Sequence, residues 1–182
     1  MWWRMGRAHP QPLFILGNQK GGTTAVAALV AARLGESLEI DPLYAIGDWS
    51  VENQLFAGTR SVSGFVKSHR RFFRAAVIKD PSYTFFHQEL SAAFPRARFA
   101  LVLRDPRDNI RSILNRLQLP GTVGSAQEPD VQEALERFGN LGWKTVLEGT
   151  NPPTEASSVV ETLALRWASS KCPRRCPTTP RS

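Results

Sequence analysis

The stretch Pro12-Leu13-Phe14-Ile15-Leu16-Gly17-Asn18-Gln19-Lys20-Gly21-Gly22-Thr23-Thr24 decides the fold. A short apolar run that stops at a glycine reads as a buried strand. Residues 17–22 hold the glycines and amides of a turn-forming loop. Residues 23–34 are rich in alanine, leucine and valine, and Gly35 follows, which predicts a buried helix with a glycine stop. A strand, a glycine-rich loop and a helix in that order have the parts of a phosphate cradle. Glycines let backbone N–H groups approach an oxyanion, and the helix N-terminus adds unpaired donors at the positive end of its dipole. Lys20 supplies a full charge, and the Thr23 and Thr24 hydroxyls supply further donors.

The same alternation continues downstream. Residues 37–40 and 75–78 are short strand candidates, and 99–103 is the clearest buried strand of the chain. Residues 63–73, 82–94, 131–138 and 159–169 carry helical patterns, while 41–59 is mixed and 121–130 reads as a loop. Asp105-Pro106 opens a helix running to about residue 117, with aspartate as cap and proline in the first turn, where its missing N–H loses nothing. No internal repeat is visible. Repeated strand–loop–helix units imply an α/β fold with a mostly parallel sheet flanked by helices. Ligands of such sheets bind at the carboxyl ends of the strands. Residues 17–24 and 104–112 both follow a strand, so one edge of the sheet is expected to carry both.

The chain has 182 residues, 42% hydrophobic and 21% charged, the composition of a single folded domain. The longest apolar run, residues 25–32, is too short to span a membrane, and residues 1–12 have no signal-peptide core. Cys172 and Cys176 make no disulfide framework, so a reducing, cytoplasmic location is expected. The net charge of +7 is uneven: residues 60–116 hold 12 basic and 4 acidic side chains, while residues 117–170 hold 3 and 7. A basic middle points to an anionic partner. Phe65, Phe72 and Phe73 interleave with its basic residues, the pattern of a nucleic-acid surface, but no recognisable nucleic-acid module surrounds them. Residues 171–182, basic and proline-rich without periodicity, read as a disordered tail, leaving 1–170 as the domain.

The first loop is not a Walker A motif. Gly17 and Gly22 have the spacing of that motif's glycines, but Thr23 stands where it requires lysine. The loop is also similar to that of ParA-type partition ATPases, whose second lysine is missing here. Lys20-Gly21-Gly22-Thr23-Thr24 instead resembles the loop of the sulfotransferase family, with Gln19 in place of a proline and Gly21 in place of a serine. In that family the loop grips the 5′-phosphosulfate of 3′-phosphoadenosine 5′-phosphosulfate (PAPS). Leu101-Val102-Leu103-Arg104-Asp105-Pro106-Arg107-Asp108-Asn109-Ile110-Arg111-Ser112 resembles the family's 3′-phosphate site, in which an arginine ends a strand and a serine follows eight residues later. Arginine presents a planar fork to a phosphate dianion, and Ser112, two helical turns on, can add a hydroxyl. Val77-Ile78-Lys79-Asp80-Pro81 followed by Ala93-Phe94-Pro95-Arg96-Ala97-Arg98-Phe99 is similar to segments of tyrosylprotein sulfotransferases and many bacterial relatives. Arg166-Trp167 faintly matches a later family helix, after which the chain looks shorter than the family's pattern.

The resemblance implies a P-loop-like sulfotransferase architecture, PAPS as sulfuryl donor and a hydroxyl-bearing acceptor of unread class. Cofactor contacts then fall to Lys20, Gly21, Gly22, Thr23, Thr24, Arg104 and Ser112. In-line attack on sulfur builds negative charge on the leaving oxygen, and Lys20 is the cation that would neutralise it. No histidine, cysteine and carboxylate group has metal-ligand spacing, so no metal is expected. The base is expected at Glu39 or Asp41, which alternation would put on one face of a strand. Asp48 and Glu52 are weaker candidates, and His69 and His87 read as structural. Lys79 takes the role of a contact to the sulfonate or the acceptor, as the resemblance implies. The runner-up reading is a sulfotransferase-like protein that binds nucleotide without transfer.

Overall fold

A computed structural model describes residues 7–121, 124, 128–138, 146–147 and 159–171. Strand β1 (Leu13–Leu16) leads into helix α1 (Thr23–Leu34), strand β2 (Leu38–Ile40), α2 (Pro42–Ile46), α3 (Trp49–Phe56) and α4 (Val62–Ser68). Strand β3 (Val77–Lys79), α5 (His87–Ala93), β4 (Arg98–Leu101) and α6 (Pro106–Leu117) follow, then α7 (Pro129–Phe138) and α8 (Val159–Lys171). Two 3₁₀ turns, Arg70–Phe73 and Pro81–Phe86, flank β3. The four strands form one parallel sheet in the order β2-β3-β1-β4. The α/β class and the parallel sheet expected from sequence are those of the structure.

Alternation along the strands sorts the core to the two faces of the sheet. Phe14, Leu16 and Ile78 face an aromatic cluster that includes Phe65, Phe73, Tyr83 and Phe94. Phe14 stacks on Phe99 with centroids 5.3 Å apart, and Phe73 stacks on Tyr83 at 6.0 Å. Ile15 and Val77 face the other way, onto Ala27 and Ala31 of α1. Those alanines recur every four residues on one side of the helix, so α1 presents small side chains to the sheet. The helix stops where Gly35 turns left-handed (φ 65°), with the Gly35 N–H bonded to Ala32 O and the Glu36 N–H to Ala31 O. A second cluster joins α6, α7 and α8 through Ile113, Leu117, Val131, Leu135 and Leu163.

The structure corrects several expectations. The strand at 99–103 is not a buried one: β4 ends at Leu101, and Leu101 and Leu103 are 43% and 59% exposed. Among the described residues β4 pairs with β1 alone, so it is an edge, and its apolar run says nothing about which strands lie beside it. Residues 63–73 are not one helix, because His69 leaves helical geometry (φ −120°, ψ 34°) and a 3₁₀ turn follows. Residues 82–94 likewise divide at Phe86 into a 3₁₀ turn and α5. The mixed segment 41–59 folds as α2 and α3. Lys171 closes α8, whereas the rest of the expected tail, residues 172–182 with both cysteines, lies outside the described residues, as do residues 122–123 and 125–127 of the expected 121–130 loop, whose last two residues instead begin α7. No described helix is long and apolar enough to cross a membrane.

Gly17 sets how closely β1 can hand over to its loop. Its φ of 148° suits glycine, and a Cβ there would stand 2.6 Å from Thr23 Cγ2 and 2.8 Å from Val102 O. Gly17→Ala should therefore lower the folding free energy by about 2 kcal/mol or more, combining backbone strain and overpacking. Urea denaturation checks this, and a loss below half of that would mean the loop relaxes without resistance.

Candidate functional site

Parallel pairing puts the carboxyl ends of all four strands on one edge, and a cavity of about 500 Å³ runs along it. At the β1/β4 end it is lined by Lys20, Gly22, Thr23, Thr24, Arg104 and Ser112. At the β2/β3 end it is lined by Asp41, Tyr44, Trp49, Glu52, Lys79 and Asp80. The two segments that looked most informative in sequence thus meet in one place, and a third, around Lys79-Asp80, joins them.

Side-chain amides hold the β1 end together. Asn18 is buried, and its Nδ2 donates to Asn109 Oδ1 at 3.0 Å while Asn109 Nδ2 donates to Gln19 O at 2.7 Å. The Gln19 N–H closes on Asn18 Oδ1 at 3.0 Å. These bonds tie the loop to α6, three residues before Ser112. Thr84 clamps the loop from the other side: its Oγ1 accepts from the Gly17 N–H at 2.8 Å and donates to Gly17 O at 3.1 Å. Lys20 itself sits in the left-handed region (φ 59°), and its carbonyl accepts from Arg104 Nη1 at 2.8 Å. Arg104 therefore fixes the loop with one of its five donors. The Arg104 carbonyl accepts from Trp167 Nε1 at 3.2 Å, which docks α8 against the same corner. The Arg166 side chain lies outside the described residues.

The N-terminus of α1 opens onto the cavity without compensation. Gly22 caps it at φ 90° with no side-chain bond, and the first turn holds no acidic residue. Its free N–H groups and dipole make this end a place for an anion. Gly21 does not line the cavity; its N–H donates to Asn18 O at 3.0 Å and closes the turn. A Cβ at residue 21 would stand 2.8 Å from that same carbonyl.

At the other end Lys79 is 4% exposed, and its Nζ donates to Asp41 Oδ1 at 2.7 Å. The expected common face for Glu39 and Asp41 does not form. Strand β2 stops at Ile40, and Asp41 turns left-handed (φ 49°) to begin α2, with its N–H bonded to Lys79 O at 2.7 Å. Asp41 lines the cavity and Glu39 does not. Burial pushes the Glu39 carboxyl up, and Arg71 opposes that rise. Asp48 caps α3 by accepting from the Ser50 N–H at 2.9 Å, a bond that holds its pKa down. His69 packs on the Phe65 ring at 4.9 Å, and partial burial lowers its pKa. Neither Asp48, His69 nor His87 lines the cavity.

Sequence reasoning did not single out Asp80, Ser82, Asn18, Asn109 or Thr84 for any role. Asp80 is buried and works as a clasp: Oδ2 accepts from the Leu43 N–H at 2.9 Å and Oδ1 from the Ser82 N–H at 3.0 Å. It joins the start of α2, which carries Asp41, to the end of β3, which carries Lys79. Ser82 Oγ in turn donates to the buried Glu52 carboxylate. Asn18, Asp80 and Asn109 each lie in one of three motifs, residues 12–24, 77–81 and 101–112, and the signal there was an amide or carboxyl at the end of a strand or on the buried side of a helix. Among the described residues, no group of three or more His, Cys, Asp and Glu side chains is arranged to hold a metal ion.

A family model described as "Sulfotransferase family" matches residues 34–139. The matched stretch takes in Asp41, Lys79, Arg104 and Ser112 and begins after the Lys20 loop. A comparison with curated proteins finds no match.

Burial pushes the Asp80 carboxyl up to about 7, helped by Asp41 and Glu52 and opposed by its two backbone donors. From its ordinary 3.8 up to about 7, the unfolded chain has released this proton while the folded chain keeps it. Folding stability therefore falls as pH rises through that window. Asp80→Asn cannot titrate and loses one acceptor, so it should be less stable by about 1 kcal/mol at low pH, with the gap to wild type narrowing toward neutrality. Denaturation curves from pH 4 to 7.5 check this; parallel stability profiles would show that Asp80 titrates normally.

Proposed function

The chain belongs to the sulfotransferase family, and from that premise we propose that it transfers the sulfuryl group of PAPS to a hydroxyl acceptor without a metal. The observation that carries the reading is the single cavity lined by Lys20, the uncapped start of α1, Lys79, Arg104 and Ser112.

These residues fit the two anionic ends of such a donor. Lys20, the α1 N–H groups and the Thr23 and Thr24 hydroxyls suit the phosphosulfate. Arg104 and Ser112, on the neighbouring strand end and helix, suit the 3′-phosphate. A cavity of about 500 Å³ is within the size range of small-molecule sites. Gly21 serves the turn in this reading, with its N–H already bonded. When bound, the donor supplies a sulfuryl group joined through oxygen to a phosphate leaving group.

Lys20 places an ammonium where negative charge grows on the departing oxygen, an electrostatic contribution concentrated in the transition state. Asp41 uses Oδ1 for Lys79, so Oδ2 is the oxygen that accepts the acceptor's proton. Lys79, held against Asp41 at 2.7 Å, orients that carboxylate and faces the site of transfer with a positive charge. Asp80 keeps this pair in register through its bonds to Leu43 and Ser82. Glu39 does not line the cavity, so this reading gives the base to Asp41.

The test is calorimetric. 3′-Phosphoadenosine 5′-phosphate (PAP) should bind more tightly than ATP, with no magnesium requirement; equal affinities would overturn the reading. Arg104→Ala should weaken PAP by roughly 1.5–3 kcal/mol, the range for a hydrogen bond to a charged group. Adenosine 5′-phosphosulfate, without a 3′-phosphate, should change little. Equal losses for both ligands would mean that Arg104 acts only through its bond to the Lys20 carbonyl. Lys20→Ala should reduce kcat and kcat/KM together while PAP affinity falls less.

A further inference from the structure

The two ends of the cavity differ in charge and in surface. Of its lining residues, the β1/β4 end holds the cations Lys20 and Arg104 and no carboxylate. The β2/β3 end holds the carboxyl groups of Asp41, Glu52 and Asp80 against one ammonium, Lys79. It also holds a pair of rings. Tyr44 of α2 and Trp49 of α3 meet edge to face with centroids 5.9 Å apart and planes at 72°. Tyr44 is 62% exposed, although the residue before it, Leu43, is buried. A large open ring at the wall of a cavity offers an apolar surface to whatever enters.

We propose that this end is the acceptor subsite, that it takes a neutral alcohol carried on a ring with an apolar face, and that Tyr44 and Trp49 select that ring. The inference rests on the sulfuryl-transfer reading for its chemistry but on the rings and carboxyls for its specificity. An anionic acceptor would approach the carboxylates of Asp41 and Glu52 against the single ammonium of Lys79, in a partly enclosed space where like charges repel strongly. The exposed cations Lys67, Arg70, Arg71 and Arg74 do not offset this, since none of them lines the cavity. A neutral hydroxyl meets no such penalty, and its ring can rest on Tyr44 and Trp49 in stacked or edge-to-face geometry. There the acceptor oxygen forms a bond to sulfur as the bond from sulfur to the PAP oxygen breaks. The hydroxyl proton passes to Asp41, and the electron pair of the broken bond leaves with PAP.

The probes are 2-naphthol and naphthalene-2-sulfonate, which share a ring system and differ in charge, together with an acidic tyrosyl peptide. Each is titrated into the full chain by calorimetry with and without saturating PAP. 2-Naphthol should bind at least tenfold more tightly than the sulfonate and than the peptide. Tyr44→Ala and Trp49→Ala should each weaken it at least fivefold, Trp49→Phe should restore most of the affinity, and PAP affinity should stay within twofold in all three. Equal binding of the two naphthalenes, tighter binding of the peptide, or indifference to both alanine variants would overturn the subsite. If PAP fails to bind while 2-naphthol binds in a Trp49-dependent way, the donor reading fails and the subsite stands. If PAP binds and 2-naphthol does not, the subsite fails and the donor reading stands. Should Trp49→Ala unfold, Tyr44→Ala and Trp49→Phe, compared at equal thermal midpoint, decide the matter.

Discussion

The buried amide pair of Asn18 and Asn109 is the interaction on which one half of the cavity depends. Two polar side chains from segments 91 residues apart satisfy each other where an unpaired amide would be costly. Because Asn109 also holds the Gln19 carbonyl, the loop after β1 cannot shift without dragging the first turns of α6. Arg104 then reaches across to the Lys20 carbonyl from the short link between β4 and that helix. The Lys20 loop is thus positioned through its backbone carbonyls, at the expense of one of the five donors of Arg104.

The opposite half is built on a different principle. Asp80 occupies both carboxyl oxygens with backbone donors, so it organises the start of α2 and the end of β3. Lys79 and Asp41 are brought together by parallel pairing of β2 with β3, in which Ile40 lies opposite Lys79. The sheet therefore sets the spacing between the two halves. Neighbouring parallel strands lie about 4.8 Å apart, so the ends of β2 and β4 are separated by roughly 14 Å, a span that accommodates an extended small molecule.

Local pattern revealed much of this. The bounds of α1 follow from Gly22, Gly35 and a run of small apolar residues, and α6 follows from Asp105 and Pro106, all features read within a few residues. The convergence of the 17–24 and 104–112 segments followed from the strand before each. What sequence could not convey depended on distant neighbours. The exposure of β4 is decided by what flanks it, not by Leu101 or Leu103 themselves. The Asn18–Asn109 and Glu52–Ser82 partnerships link residues 91 and 30 positions apart and leave no periodic trace. The separation of Glu39 from Asp41 was missed because an aspartate at a strand end looks extended until its left-handed φ is seen.

Lys20 and Asp41, together with Gln118, are the non-glycine residues with positive φ among those described. That conformation strains any residue with a Cβ, by about 1 kcal/mol, and glycine would adopt it freely. A chain shaped for thermodynamic robustness alone would carry glycine at residue 20, whereas at residue 41 glycine would leave the buried Lys79 ammonium without its carboxylate. This one keeps an ammonium at residue 20, so on the proposed sulfuryl-transfer reading stability and chemistry pull in opposite directions there, while at residue 41 the pair with Lys79 makes them agree. Substitution of Lys20 by glycine is then, on that reading, the change by which such a chain would drift toward a sturdier protein with an emptied anion site.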